Sequence, residues 1–171
     1  MLVSVKPIGP TEEDAMRKGR ESEGVAASLP AENLCNVTAL RKATRRISQL
    51  YDAMLAPTGL RSTQRAILVY VARYGSPTMS ELAAALVLDR SALNHNLKPL
   101  ERDGLLRVVV DQDDRRSRRI LLSKLGEVKL RESTQAWQRA QQRFETSFGA
   151  RQSAALRASL QLVASLDFHE A

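Results

Sequence analysis

Apolar residues in this 171-residue chain return at helical spacing over most of its length, broken by one short stretch with strand character. Across residues 32–56, Leu34, Val37, Leu40, Ile47, Leu50, Met54 and Leu55 recur every three or four positions, with Arg41, Lys42, Arg45 and Arg46 between them, which predicts a long amphipathic helix. Pro57 and Gly59 stop it, and Ser62 opens a second helix whose stripe is Ile67, Leu68, Val71 and Ala72, ended by Gly75 and Pro77. Thr78 and Glu81 stand three apart, the spacing of a capping box, ahead of a short third helix carrying Leu82, Ala83 and Leu86. Asp89 can cap a fourth helix with Leu93, Leu97 and Leu100 inward and Gly104 as its stop. Pro99 lies inside it, removes one backbone hydrogen bond and crowds the carbonyl of His95, so a bend or a weakened last turn is expected there. Residues 105–110 and 118–122 are β-prone runs joined by the polar stretch 111–117, which reads as a hairpin with an extended tip. Leu125, Val128, Trp137, Phe144 and Phe148 then mark a fifth, long helix with a core-type stripe, and residues 154–166 a sixth after Gly149.

Two short helices joined by a tight turn and followed at once by a charged hairpin form the winged helix-turn-helix order, in which the second of the two helices enters a DNA major groove. The solvent face of the fourth helix carries Arg90, Ser91, Asn94, His95 and Lys98, side chains able to read base edges and hold phosphates. A polar face alone is usually only a solvated face; the neighbouring hairpin changes that reading. Arg115, Arg116, Arg118 and Arg119 cluster in and just after its loop, where the negative potential of a minor groove attracts a guanidinium. Asp111, Asp113 and Asp114 offset much of this charge and point to an orienting role, since a carboxylate can hold a guanidinium before DNA arrives.

Composition agrees with this picture without proving it. Lys and Arg outnumber Asp and Glu by 26 to 19, a net charge of +7 that suits a polyanionic partner. The chain is 43% hydrophobic and 26% charged, as a globular domain is, and contains no long apolar run, so a cytoplasmic protein with no membrane segment is expected. Residues 1–30 hold Pro7, Gly9, Pro10, Gly19, Gly24 and Pro30 among mixed charges with no apolar period, which reads as a flexible arm. Cys35 is the single cysteine and His95 and His169 are the two histidines, so no disulfide framework and no Cys/His metal cluster is expected. No glycine-rich phosphate loop or catalytic constellation stands out; we expect neither an enzyme nor a cofactor.

The run LAAALVLDRSALNHNLKPLERDGL at 82–105, followed by DDRRSRRILLSKLG at 113–126, resembles the MarR family of regulators, and the resemblance extends from about residue 34 to residue 166 through RISQLYDAML and GLRSTQRAILVYVARYG. It implies a mainly α fold with a small β-hairpin wing, assembled as an intertwined helical homodimer on a pseudopalindromic double-stranded operator. By that likeness residues 61–123 are the DNA-binding lobe, and 31–60 with 124–171 the helical dimerisation region. The fourth helix becomes the recognition helix. Arg116 becomes the wing-tip arginine, steadied by Asp114, with Arg115 and Arg118 as backbone contacts or supports. The family also implies a ligand-responsive repressor that takes a small phenolic or anionic ligand in a crevice beside the lobe. Arg41, Arg45, Tyr51, Tyr70 and Tyr74 are the candidates, since a carboxylate or phenol needs a cationic or hydroxyl partner beside apolar walls.

Cys35 raises an alternative, a thiol-based redox-sensing repressor, because the hydroperoxide-sensing branch of that family carries its reactive cysteine in the first helix near a tyrosine. Tyr51 fits as the tyrosine, and an ungapped alignment on it puts the sensor position at Val37, two residues beyond Cys35. A further alternative is an architectural module that binds DNA without sequence preference.

Overall fold

The computed structural model describes residues 35–167; the expected arm at 1–30, the first predicted helical residues 32–34 and His169 lie outside the described residues. The chain falls into two compact units, 1–43 and 44–171. Of the first, the described part is the opening of helix α1, Asn36–Leu55. The second continues with a 3-10 turn, Ala56–Thr58, then α2 Ser62–Tyr74, α3 Met79–Ala85, α4 Arg90–Arg102, strands β1 Leu106–Val110 and β2 Arg118–Leu122, α5 Lys124–Phe148 and α6 Ala150–Ser165. The described residues are mainly α with one antiparallel hairpin, in winged helix-turn-helix order. No helix among the described residues is long and apolar enough to cross a membrane.

Local chemistry sets the helix ends. Thr78 Oγ1 accepts the Glu81 amide at 3.1 Å while the Thr78 amide donates to Glu81 Oε2 at 2.7 Å, a reciprocal capping box that starts α3. Asp89 Oδ1 accepts the Ala92 amide at 2.7 Å and starts α4. α4 continues through Pro99 to Arg102, and the Asp103 amide still reaches the Pro99 carbonyl at 2.9 Å before Gly104 turns the chain at φ 70°. The sixth helix begins at Ala150, four residues before the apolar period alone suggests. Gly149 ends α5, and its carbonyl accepts both the Ser153 amide and the Ser153 hydroxyl, which starts α6 at once.

The core gathers Leu68 and Val71 of α2, Leu82 of α3, Leu93, Leu97 and Leu100 of α4, and Leu106 and Ile120 of the hairpin, all 1% exposed or less. Each such side chain contributes about 1.5–3 kcal/mol through removal from water. The strands pair Leu106 with Leu122, Val108 with Ile120 and Val110 with Arg118, and on the opposite face Arg107 with Leu121 and Val109 with Arg119. α5 packs differently from the expectation of a core stripe of large aromatics. Its buried residues are Gly126, Ser133, Ala136 and Ala140, whereas Trp137 and Phe144 are half-buried and Phe148 is 46% exposed. Small side chains let neighbouring backbones approach closely, and the large rings flank that contact.

Two positions are sterically decisive. Gly126, in the first turn of α5, lies so close to the α4–β1 connection that a Cβ there would collide with the Leu105 carbonyl oxygen. Ser123 ties the same junction, donating its hydroxyl to the Gly104 carbonyl at 2.6 Å and accepting the Gly126 amide at 2.9 Å. Val87, in the turn between α3 and α4, holds φ at 52°, a left-handed conformation that a β-branched residue adopts only under strain.

Gly126→Ala is therefore expected to lower the free energy of unfolding by about 1–3 kcal/mol, through overpacking against backbone. Helix propensity alone predicts the opposite sign, so denaturant unfolding decides between them. Val87→Gly should raise stability by about 0.5–1 kcal/mol in the same measurement, because glycine relieves the positive φ at some entropic cost.

Candidate nucleic-acid interface

The leucine stripe of α4 faces the core, which leaves Arg90, Ser91, Asn94, His95 and Lys98 exposed on the opposite side. Arg90 is steadied from α3, one of its Nη atoms donating to Ser80 Oγ at 3.2 Å. The hairpin returns to the same face. Between α4 and the wing lies a cleft of about 250 Å³ that brings together the guanidinium-bearing residues Arg90, Arg116 and Arg118, the hydroxyls of Ser80 and Ser117 and the Asn94 amide, over Met79 and Val108. Among the described residues, no carboxylate lines it. Three cations with neutral donors and no opposing acid make a site for an anion such as a phosphodiester. Of the α4 candidates, Ser91, His95 and Lys98 lie outside this cleft; Arg115 is exposed in the wing loop.

The wing loop is shaped by its own acids. Asp114 Oδ1 accepts the backbone amide of Arg116 at 2.9 Å, so it steadies the loop backbone at Arg116, and the Ser117 amide closes on the Asp114 carbonyl at 2.8 Å. Asp111, only 5% exposed, accepts the Asp113 amide at 3.0 Å and the Nε of Arg119 at 2.7 Å. The Asp113 amide, and after it the Arg119 guanidinium, hold the Asp111 carboxyl below the usual carboxylate range against the opposing effect of burial. Arg119 also donates to the Ser76 carbonyl at 3.0 Å. Strand alternation separates adjacent arginines: Arg118 lines the cleft against α4, while Arg119 serves the other face of the hairpin, where it lines a second cleft of about 450 Å³ with Tyr74, Ser76 and Glu81.

A polar seam runs along α5. Ser133, Trp137, Gln141 and Glu145 are four residues apart and so share one face, and each meets a side chain from another helix. Arg65 of α2 donates Nε to Ser133 Oγ at 3.1 Å and lies 4.9 Å over the Trp137 ring. Burial pulls the Arg65 guanidinium below its ordinary pKa. Tyr51 of α1 donates to Gln141 Oε1 at 2.6 Å, and Arg157 of α6 reaches Glu145 at 3.2 Å. Burial first, and the Glu145 charge second, push the Tyr51 phenol upward.

The effector candidates are thus dispersed. Tyr70 and Tyr74 stack on one another with ring centroids 6.0 Å apart, Tyr51 is engaged by α5, and Arg45 is exposed. The 450 Å³ cleft takes Tyr74 but neither Tyr51 nor Tyr70. In the first unit Arg41 is exposed, and so is Cys35, whose Sγ accepts the Thr38 hydroxyl at 3.2 Å; that hydrogen bond lowers the thiol pKa.

Ser80, Ser117, Arg65, and the pairing of Asp111 with Arg119, were not singled out from the sequence. Alternation within residues 118–122 carries the signal for the last, since neighbouring strand residues face opposite sides. A lone arginine beside the apolar run of α2 is the signal for Arg65. Nothing in the local pattern marks Ser80 and Ser117, which matter through tertiary placement alone.

Comparison with known proteins gives a consistent family and fold. Residues 58–117 match the sequence model of the MarR family. A sequence comparison with curated proteins returns no match. Among solved structures, the transcriptional regulator MosR of M. tuberculosis in complex with DNA is 33% identical, covering 77% of this chain and 99% of that one, with a TM-score of 0.65. A mutant MarR from E. coli complexed with operator DNA is 21% identical, covering 73% and 90%, with a TM-score of 0.67. BpsR of Bordetella bronchiseptica, whose DNA binding is regulated by 6-hydroxynicotinic acid, is 19% identical, covering 82% and 100%, with a TM-score of 0.70. The latter two likenesses concern the fold alone.

The raised Tyr51 pKa has a measurable consequence. A phenol that ionises later in the folded state contributes stability that is complete below its unfolded value of about 10 and lost as pH rises through the folded one. The free energy of unfolding is expected to fall less steeply above about pH 10 in Tyr51→Phe than in wild type. Identical alkaline slopes would contradict the assignment.

Proposed function

This chain belongs to the MarR family of transcriptional regulators, and from that premise we propose that it is a sequence-specific DNA-binding repressor, acting as a homodimer on a pseudopalindromic operator and responsive to a small phenolic or anionic ligand. The observation that carries the DNA reading is the acid-free cleft between α4 and the wing, with Arg90, Arg116 and Arg118 converging beside Asn94. In this reading α4 enters the major groove and Asn94, with Ser91 and His95, meets base edges. Arg90, Lys98, Arg115 and Arg118 hold phosphates, and Arg116, on a backbone steadied by Asp114, enters the minor groove.

Exposed apolar residues support the dimer. Phe148 of α5 and Leu160, Leu162, Val163 and Leu166 at the end of the chain's described part are each at least 38% exposed, apolar side chains that a second copy of the chain would cover. The half-buried polar seam on α5 supports ligand response, with Tyr51 and Arg65 offering a hydroxyl and a cation beside Trp137. Arg41, Arg45, Tyr70 and Tyr74 stand as further candidates. BpsR answers to a small hydroxylated aromatic acid, which is the chemical class proposed here. A second reading, thiol-based release through Cys35, is favoured by that residue's exposure and by its hydrogen bond from Thr38.

Fluorescence anisotropy with the chain's own upstream intergenic DNA against a shuffled duplex, at about 0.15 M salt, tests the reading. Selective binding with two chains per site is expected, and equal weak binding to both duplexes would instead indicate an architectural module. Arg116→Ala should weaken binding to most sequences by about tenfold and reduce the salt slope by about two, one for each half-site, whereas Asn94→Ala should alter base preference at one position in each half-site. Cys35→Ser protein that still releases DNA on peroxide treatment as wild type does would end the thiol reading.

A further inference from the structure

We propose that the nearly buried Asp111 carboxylate is the positioning residue of the wing: by holding Arg119 against the Ser76 carbonyl it fixes the hairpin root and thereby places Arg116 and Arg118 beside α4. The proposal rests on the reading of this lobe as DNA-binding. It adds a role for an acid in a basic lobe, where electrostatics alone gives an acid only a cost.

The contacts converge on one corner. Arg119 Nε meets Asp111 at 2.7 Å, and the Arg119 Nη that reaches the Ser76 carbonyl at 3.0 Å ties both to the segment just before α3. The main chain repeats the attachment: the Ile120 amide donates to the Pro77 carbonyl at 2.9 Å, and Thr78 pairs with Arg119 as an isolated bridge. On the loop side, the Asp111 amide donates to the Ser117 carbonyl at 3.0 Å while the Asp111 carboxylate takes the Asp113 amide. One side chain therefore spans the base of the loop that carries Arg115 and Arg116 and the strand that carries Arg118. The segment it anchors leads directly into the capping box of Thr78 and Glu81 and to Ser80, which holds Arg90. Both walls of the acid-free cleft are thus referred to the same point.

Energetics support a clamp over a chance surface pair. The Asp111 side chain is 6% exposed and that of Arg119 is 37% exposed, so this is no freely solvated ion pair. Removing one partner of a largely buried pair leaves the other short of compensation and the hairpin root free to rearrange. Asn at 111 could still accept the Asp113 amide but would lack the charge that fixes Arg119.

The test uses wild type, Asp111→Asn, Arg116→Ala and the double variant, each titrated against a duplex that wild-type protein selects from random sequence. Asp111→Asn removes a negative charge, so general electrostatics predicts tighter binding, and a merely distant structural residue predicts no change. Positioning predicts the reverse: binding about tenfold weaker, a salt slope that falls toward that of Arg116→Ala, and a double variant weaker than Arg116→Ala by clearly less than the factor that Asp111→Asn costs in wild type, since only Arg118 is then left to misplace. Limited trypsin digestion supplies a reading without DNA, in which cleavage after Arg115 and Arg116 is expected to be several-fold faster in Asp111→Asn while cleavage in the helices is unchanged. Arg119→Lys keeps the charge but loses the paired geometry, and should shift both measurements in the same direction by a smaller amount. Binding that tightens or stays unchanged in Asp111→Asn, or losses that multiply in the double variant, would overturn the proposal. Wild-type protein that selects no duplex would overturn the DNA-binding reading beneath it, and that result is distinct from either.

Discussion

Three leucines on one side of α4 are the constraint on which the proposed recognition surface depends. Leu93, Leu97 and Leu100 are buried against α2, α3 and the hairpin, and their three- and four-residue spacing fixes the rotation of α4 about its own axis. Once that rotation is set, the outward positions of Arg90, Ser91, Asn94, His95 and Lys98 follow without any contact of their own. A close-packed interior resists small rotations, because each would open a void or force a clash. The precision of a polar surface is here supplied from its apolar reverse side.

A second constraint acts at the start of α5. Gly126 permits backbone contact with Leu105, and Ser133, Ala136 and Ala140 continue the small-residue side of the helix. Close approach has a chemical consequence further along, since side chains reaching α5 from α1, α2 and α6 end in polar groups that must be paired. Ser133, Gln141 and Glu145 provide the partners, and no side-chain polar atom buried among the described residues is left without one. A polar seam satisfied in this way is specific in geometry yet open to exchange of partners, a combination suited to a region proposed to sense a ligand.

Much of the fold was legible because each element carried its own punctuation. Thr78 with Glu81, Asp89, and Gly104 each announced a boundary through a hydrogen bond or backbone angle local to it, and the structure uses all three. Pro99 was legible as a perturbation inside a continuing helix, and α4 does run through it to Arg102. The aromatic residues of α5, by contrast, misled. Trp137, Phe144 and Phe148 repeat as a core stripe would, but helix separation is decided by whichever face offers the smaller side chains, and that face was quieter in the pattern. The site divided along similar lines: the exposed face of α4 follows from periodicity, while Ser80, Ser117 and the Asp111–Arg119 pair depend on elements distant in sequence.

The alternation that sends Arg118 to one face of the hairpin and Arg119 to the other bears on which length changes this wing can survive. Strand side chains repeat every two residues, so a one-residue slip of β2 along β1 would exchange the two arginines, burying the cleft's cation at the root and exposing the root's cation to solvent. Ile120 would turn outward in the same step. A change of length in the loop between the strands is therefore tolerated where the loop absorbs it and leaves the register of the strands unchanged.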